Sequence, residues 1–190
     1  MLDLHVVIGG FTQRRNRWHG MLKLNEKVIA AVGMSSHRRV WFQRWCDPWK
    51  QIAEHVWLLK EEAGQELRVF VYAYSWGAGW GAMQFAKHLS DANIKIEVMV
   101  ISDAVFRHPV LIMRWTAMTK LGTIQIPDNV KVVHRFYQKR GRPMGHKVHW
   151  NAMGTEIQTD RELHYEHAKM DDASEFHAKV LEVVDDSIAA

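Results

Sequence analysis

The chain has 190 residues, a length that suits a single domain covering residues 1–190. Hydrophobic residues make up 47% of it and charged residues 24%, which is ordinary for a globular protein, and no window approaches the ~18 uninterrupted apolar residues of a membrane span. The only cysteine, Cys46, excludes an internal disulfide, and the N-terminal residues lack the basic and apolar regions of a signal peptide, so we expect a cytoplasmic protein.

Three small basic groups, set among nine tryptophans, make nucleic acid a partner to consider. These groups are Arg14-Arg15-Arg17, Arg38-Arg39 and Lys139-Arg140-Arg142. The formal net charge is only +4, and acidic residues occur throughout the chain, which argues against one continuous basic face. We therefore interpret the basic groups as solvated loop charge and do not expect a nucleic-acid partner.

Short apolar, β-branched runs alternate with segments of helical periodicity along the chain. Strands are predicted over residues 4–8, 40–45, 67–74, 94–101 and 130–137. Helices are predicted over residues 23–32, between caps at 47 and 64, in a segment ending near 89, over 110–121 and from 171–172 onward. Such alternation predicts an α/β fold in three layers: a doubly wound, mostly parallel sheet of five or six strands with helices on both faces.

Two helices are predicted to begin with recognisable capping residues. Asp47 suits the N-cap of the second helix, Pro48 its first position, and Gly64 its C-terminal cap. Asp172 and Glu175 have the spacing of a capping box at the start of the last helix.

Ser75 follows directly on the apolar strand 67–74 and precedes a helical segment. Ala73 and Gly77, two residues before and two after it, are small enough for a tight strand-to-helix turn. A serine on such a turn is typical of a nucleophile elbow, in which a strained backbone presents the hydroxyl at the carboxyl end of a sheet. We predict that Ser75 is a catalytic nucleophile.

A serine nucleophile needs a base, and the base needs an orienting acid. Asp103 follows the next predicted strand, so it would lie at the same edge of a parallel sheet. His167 lies in a loop before the last helix, which places serine, aspartate and histidine in chain order. His164 is the second candidate for the base, whereas His177 is expected on a wet face of the last helix.

An oxyanion hole requires two backbone N–H groups near the nucleophile. One is predicted from Trp76, directly after the serine, and the other from Phe11 in the turn Gly9-Gly10-Phe11. Gly10 is expected to border the bound substrate. The alternative is that Gly9-Gly10 only turns the chain after the first strand.

The motifs together resemble those of the α/β-hydrolase superfamily, in particular its small cap-less esterases, lipases and thioesterase-like members. The resemblance rests on Val7-Ile8-Gly9-Gly10-Phe11, Ala73-Tyr74-Ser75-Trp76-Gly77, Val100-Ile101-Ser102-Asp103 and His167 before Met170-Asp171-Asp172. It implies hydrolysis of a small carboxylic ester or thioester without a metal or organic cofactor. It also implies an open site, for which we expect Phe106, Trp115 and Trp76 as walls.

Two departures from the family pattern leave alternatives open. Ala73 replaces the first glycine of the elbow, and no carboxylate follows the strand 130–137, after which the family most often carries its acid. The second departure favours Asp103 and leaves Glu156 and Asp160 as other candidate acids. Both departures also suit a non-catalytic binding protein on the same scaffold.

A metal site is the remaining alternative, because four histidines are concentrated in the C-terminal third of the chain. They are His146, His149, His164 and His167. The stretch has no ordered zinc-binding pattern, so we expect no metal.

Overall fold

The computed structural model describes residues 1–13, 16–106, 122–151 and 153–190. Its strands are β1 Leu2–Gly9, β2 Arg38–Arg44, β3 Leu67–Tyr74, β4 Ile96–Ser102, β5 Thr123–Gln125, β6 Val130–Tyr137, β7 Lys147–His149 and β8 Glu156–Glu162. Its helices are α1 Gly20–Val32, α2 Trp49–Ala63, α3 Ala82–Asp91 and α4 Ser174–Ala189, with a π-helical turn at Gly77–Gly81 and a 3₁₀ turn at His167–Lys169. The helix predicted over 110–121 lies outside the described residues. None of the helices in the described ranges is long and apolar enough to cross a membrane.

The central sheet has six strands in the order β2-β1-β3-β4-β6-β8, and every neighbouring pair is parallel. The strands β1, β3, β4 and β6 lie inside it, and the first three are mostly apolar, as strands covered on both faces require. The prediction of an α/β fold with a parallel sheet is confirmed.

Helices cover both faces of this sheet. On one face, Ile52 and Val56 of α2 pack with Phe85 of α3 against β1, β3 and β4. On the other face, Met21 of α1 and Phe176 of α4 share a second core cluster. Right-handed crossovers produce this division, because the chain moves one way from β1 to β2 and the opposite way from β2 to β3. The strand order therefore reverses beside β1, which is where ligands bind in open α/β sheets.

The N-terminal cap predicted for α2 is wrong. Pro48 occupies the N-cap position without a side-chain hydrogen bond to the helix. Asp47 instead accepts hydrogen bonds from the Arg44 backbone N–H at 2.8 Å and from Arg44 Nε at 2.9 Å. The C-terminal prediction is confirmed, because Gly64 ends the helix in the left-handed conformation at φ 59°.

The capping box predicted for the last helix is also wrong. Helix α4 begins at Ser174, with Ala173 at the N-cap and no side-chain cap. Asp172 forms an ion pair with Lys23 at 2.6 Å, and Glu175 accepts a hydrogen bond from Tyr165. Both carboxylates therefore interact with residues outside the helix instead of capping its first turn.

Candidate active site

The predicted site residues come together where β1, β3 and β4 end, beside the reversal of strand order. Ser75 follows β3, Asp103 follows β4, and the loop before α4 brings His167 to the same edge. Ser75 and Asp103, each the first residue after its strand, both have left-handed backbone conformations, with φ 56° and φ 43° respectively. Such strain at non-glycine residues is concentrated at functional sites.

The backbone around Ser75 is held by hydrogen bonds from three sides. Its N–H donates to the Ser102 carbonyl at 3.0 Å, and its carbonyl accepts from the N–H groups of Gly79 at 2.8 Å and Val105 at 3.1 Å. The helical turn after Ser75 packs directly on the end of β1, since a Cβ on Gly77 would lie 2.6 Å from the Gly9 carbonyl oxygen. The tight turn therefore requires glycine at 77 because of packing.

A continuous chain of hydrogen bonds joins the three predicted side chains. Ser75 Oγ lies 2.9 Å from His167 Nε2, and His167 Nδ1 lies 2.5 Å from Asp103 Oδ2. A carboxylate accepts hydrogen bonds, so Nδ1 carries the proton in the neutral imidazole and Nε2 is left to accept from the serine hydroxyl. In this arrangement, His167 can take the hydroxyl proton from Ser75 and pass it to another group.

Asp103 is fully buried, and a glutamine that the sequence did not single out supports it. Gln138 Nε2 donates to Asp103 Oδ2 at 3.0 Å, and the Gln138 backbone N–H lies 3.3 Å from Oδ1. Gly145 passes so close that a Cβ there would lie 2.5 Å from Asp103 Oδ1. A buried carboxylate needs such donors because water does not reach it.

The loop carrying His167 is anchored to the strands by its own carbonyl groups. Tyr74 donates its hydroxyl proton to the His167 carbonyl at 2.7 Å, and its ring stacks on the imidazole at 5.1 Å between centroids. Ser102 Oγ donates to the Met170 carbonyl at 2.8 Å. Burial raises the pKa of Tyr74, as do the charges of Asp171 and Asp103, so this hydroxyl stays protonated as a donor.

The two predicted oxyanion residues lie next to the nucleophile: Trp76 follows it directly, and Phe11 follows Gly10 in the turn that packs against it. Trp76 begins the helical turn, where the first N–H groups have no intrahelical acceptor, and its ring contacts the ring of Phe11 at 4.5 Å between centroids. Gly10 lies against Ser75, since a Cβ on it would come 3.0 Å from Ser75 Cβ. The turn after β1 therefore borders the nucleophile.

A cavity of about 540 Å³ opens beside Ser75 and His167, within the range of small-molecule sites. Its walls are largely aromatic. They include Phe11, Trp18, Tyr74 and Trp76, with Arg17 and Pro143. The site can therefore hold a small molecule with an apolar part next to the serine hydroxyl.

Several residues considered from the sequence lie away from this cavity. Phe106 packs toward His146, at 6.1 Å between ring centroids, and does not line the cavity. Trp115 lies outside the described residues. His164 is exposed, and it is His167 that contacts Ser75.

The other acid candidates and the remaining histidines also lie elsewhere. Asp160 pairs with Arg135 at 2.8 Å on the surface, and Glu156 is exposed on β8. His177 is buried and its Nε2 lies 2.8 Å from the Asp171 carbonyl oxygen, so its predicted exposure is wrong. In the described part of the chain, no group of three or more His, Cys, Asp or Glu residues is placed to hold a metal ion.

Sequence reasoning missed the supporting residues Tyr74 and Gln138, and it also missed Gln13, whose side chain donates to Asp171 in the histidine loop at 2.6 Å. Only Tyr74 carried a signal, through its place next to the predicted nucleophile.

No family model matches this chain, and no curated protein matches it in sequence. The geometry of the site is therefore the evidence for its function.

Proposed function

We propose that this protein is a serine hydrolase that cleaves carboxylic esters or thioesters through an acyl-enzyme on Ser75. The observation that carries the proposal is the hydrogen-bond chain from Ser75 Oγ through the imidazole of His167 to Asp103. A serine hydroxyl is a weak nucleophile, and a paired imidazole with a fixed tautomer is what activates it.

In the first half-reaction, Ser75 Oγ attacks the acyl carbonyl carbon while His167 Nε2 takes the hydroxyl proton. Asp103 stabilises the imidazolium that results and keeps Nδ1 protonated. The carbonyl oxygen becomes an oxyanion, for which the backbone N–H groups of Trp76 and Phe11 are the proposed donors. The tetrahedral species then expels the alcohol or thiol, which takes the proton from Nε2.

In the second half-reaction, water replaces the leaving group. His167 Nε2 removes one proton from the water as its oxygen attacks the acyl carbon on Ser75. Collapse of the second tetrahedral species breaks the bond to Ser75 Oγ, which regains the proton from Nε2, and the carboxylic acid leaves. The reaction needs only water and the side chains and amides of this chain.

The architecture supports the same proposal and its finer form, a minimal α/β-hydrolase fold without a separate cap domain. A strained serine after a central parallel strand, an acid after the adjacent strand and a histidine in a late loop are the elements of that arrangement. The aromatic walls of the cavity suit an acyl or leaving group that is small and largely apolar.

The first test is turnover of an activated ester, such as p-nitrophenyl acetate or butyrate, by the Ser75→Ala variant. We expect kcat to fall about a thousandfold or more, because the acyl-enzyme cannot form. Ser90→Ala is the matched control, since Ser90 is exposed near the end of α3, at the opposite edge of the sheet from the strand ends that carry the site. It should keep wild-type kcat, whereas unchanged turnover in S75A would refute the proposal.

A fluorophosphonate probe separates this proposal from a non-catalytic binding protein. The probe phosphonylates only an activated serine, whose Oγ displaces fluoride from phosphorus, so we expect stoichiometric labelling of the wild type at Ser75. S75A should not be labelled, and prior unfolding of the wild type should abolish labelling. A folded wild type that resists the probe and hydrolyses no ester or thioester would favour the binding protein.

A further inference from the structure

Gln13 is a buried glutamine whose side-chain amide forms hydrogen bonds through both its oxygen and its nitrogen. Its Oε1 accepts a hydrogen bond from the Gly10 backbone N–H at 2.8 Å, and its Nε2 donates to Asp171 Oδ2 at 2.6 Å. The Gln13 backbone N–H closes the same turn by donating to the Gly10 carbonyl at 3.2 Å. One side chain thus joins the turn after β1 to the loop before α4, two segments that are 158 residues apart.

At the first end, the bridge determines the orientation of the turn over the nucleophile. Gly10 lies so close to Ser75 that the turn has no space for a larger residue at position 10. Because the Gly10 N–H points to Gln13, the next amide in the turn, that of Phe11, is the one proposed to face the oxyanion. Rotation of the Gly10 peptide would move that amide away from the acyl carbonyl.

At the second end, the bridge holds the histidine loop. Asp171 is four residues after His167 and is buried, and the same Oδ2 that accepts from Gln13 also accepts from the Gly20 N–H at 2.8 Å. Burial raises the pKa of Asp171, and the Gly20 and Gln13 donors oppose that shift. The loop is also tied to the strands by Tyr74 and Ser102, but Gln13 ties it to the oxyanion turn.

We infer that Gln13, acting through Asp171, is a positioning residue that sets the distance between the oxyanion turn and the histidine loop. The inference rests on the proposed hydrolase function. The amide accepts at Gly10 and donates at Asp171, whereas an ionised glutamate can only accept and leucine or methionine can do neither, so each would leave one or both partners unsatisfied. A misplaced oxyanion donor weakens binding of the transition state more than binding of the ester, so kcat falls while KM changes little.

The test is a set of variants in which the hydrogen bonds are removed and then restored with reversed polarity. Gln13→Met loses both bonds, and Gln13→Glu places a carboxylate against Asp171. We expect kcat on p-nitrophenyl butyrate to fall about tenfold to a hundredfold in each, with KM within about threefold. In the double variant Q13E/D171N, the carboxylate at 13 accepts from Gly10 and from the amide at 171, but that amide nitrogen stands where Asp171 Oδ2 accepted from the Gly20 N–H. We therefore expect kcat to rise at least about threefold above that of Q13E without reaching the wild-type value.

Two further measurements separate positioning from general damage to the fold. The inhibition constant of a trifluoromethyl ketone, whose adduct carries the oxyanion, should rise in Q13M and Q13E in parallel with the loss of kcat/KM. Gln84→Met, at a half-buried glutamine of α3, is the matched control and should change neither.

The outcomes distinguish failure of this inference from failure of the proposed function. A wild type that hydrolyses neither esters nor thioesters would overturn both. An active wild type with Q13M and Q13E at full kcat would overturn only the inference, as would a folded double variant no faster than Q13E. If the single variants do not fold, recovery of folding and turnover together in Q13E/D171N supports the bridge, and a folded but inactive double variant overturns it.

Discussion

At the scale of single residues, the site depends on which tautomer His167 adopts. The carboxylate of Asp103 can only accept, so the imidazole places its proton on Nδ1 and presents a lone pair to Ser75. In Asp103→Asn, the side-chain amide can donate to Nδ1 and leave the proton on Nε2, where it blocks proton transfer from Ser75. We expect kcat to fall on the order of 10³-fold to 10⁴-fold, measured by steady-state ester hydrolysis.

The other acidic candidates are matched controls for this prediction. Glu156→Gln and Asp160→Asn lie on β8 and change a carboxylate to an amide as D103N does. Each should keep kcat within about twofold, because neither side chain contacts His167, and loss of the exposed Arg135 pair costs D160N less than about 1 kcal/mol. A D160N or E156Q enzyme as impaired as D103N would show that the acid has been misassigned.

The three residues of the hydrogen-bond chain could be predicted from the sequence as candidates, but the residues that hold them could not. Ser75, Asp103 and His167 each follow a recognisable boundary between elements and occur in an informative order. Gln13 and Gln138 lie in irregular segments, and their partners are brought close only by the tertiary fold. A glutamine in a loop has no local pattern that distinguishes a solvated side chain from a buried bridge.

At the scale of elements, the helical turn after Ser75 is packed against the backbone that carries Asp103. A Cβ on Gly79 would lie 2.0 Å from the Val105 carbonyl oxygen, and Gly79 and Val105 both donate to the Ser75 carbonyl. Gly79→Ala must therefore push the turn away from the segment after β4. We expect a loss of about 3 kcal/mol in the free energy of unfolding and at least a tenfold fall in kcat, from urea denaturation and ester turnover.

Gly64→Ala is the matched control for this change. Gly64 ends α2 at φ 59°, but no atom lies within 4 Å of an added Cβ, so the only cost is left-handed backbone, about 1 kcal/mol. Its kcat should not change, because α2 ends at the opposite side of the sheet from the strand ends that carry the site. Equal effects of the two substitutions would show that the contact between Gly79 and Val105 has no special importance.

The accuracy of the element predictions follows from what stabilises each element. Strands β1, β3 and β4 were predicted because burial on both faces requires apolar residues. Strand β8 was missed because it pairs only with β6 at the sheet edge, and its sequence EIQTDRE is largely polar. The short strands β5 and β7 were missed as well, since three residues are too few to show a period.

At the scale of the whole molecule, the fold buries several histidine side chains, and burial disfavours their protonated form. Burial lowers the pKa of His5 to about 4, with Asp3 opposing the shift and Arg38 and Arg68 adding to it. Burial also lowers the pKa values of His134 and His177. These histidines stay neutral in the folded protein over a range in which the unfolded chain takes up protons.

The predicted consequence is a loss of stability as the pH falls below about 6.5. Above that pH, His5 is neutral in both states and costs nothing. Below it, the unfolded chain binds a proton at His5 that the folded chain does not bind, so this site lowers the free energy of unfolding by up to about 1.4 kcal/mol per pH unit. For His5 the loss extends from about pH 6.5 to its folded pKa of about 4 and totals about 3 kcal/mol.

Urea denaturation between pH 7.5 and 5 measures this dependence before most carboxylates titrate. His5 Nδ1 shares a hydrogen bond of 2.9 Å with the Tyr72 hydroxyl, so the double variant H5F/Y72F removes the imidazole without leaving a buried hydroxyl unpaired. Between pH 6 and 5, the free energy of unfolding of this variant should fall less steeply than that of the wild type. The difference in slope corresponds to about one proton fewer taken up on unfolding. His55→Gln, at an exposed position of α2, should keep the wild-type slope. A double variant as pH-sensitive as the wild type would mean that His5 is protonated in the folded protein, because only then would its removal leave the proton uptake on unfolding unchanged.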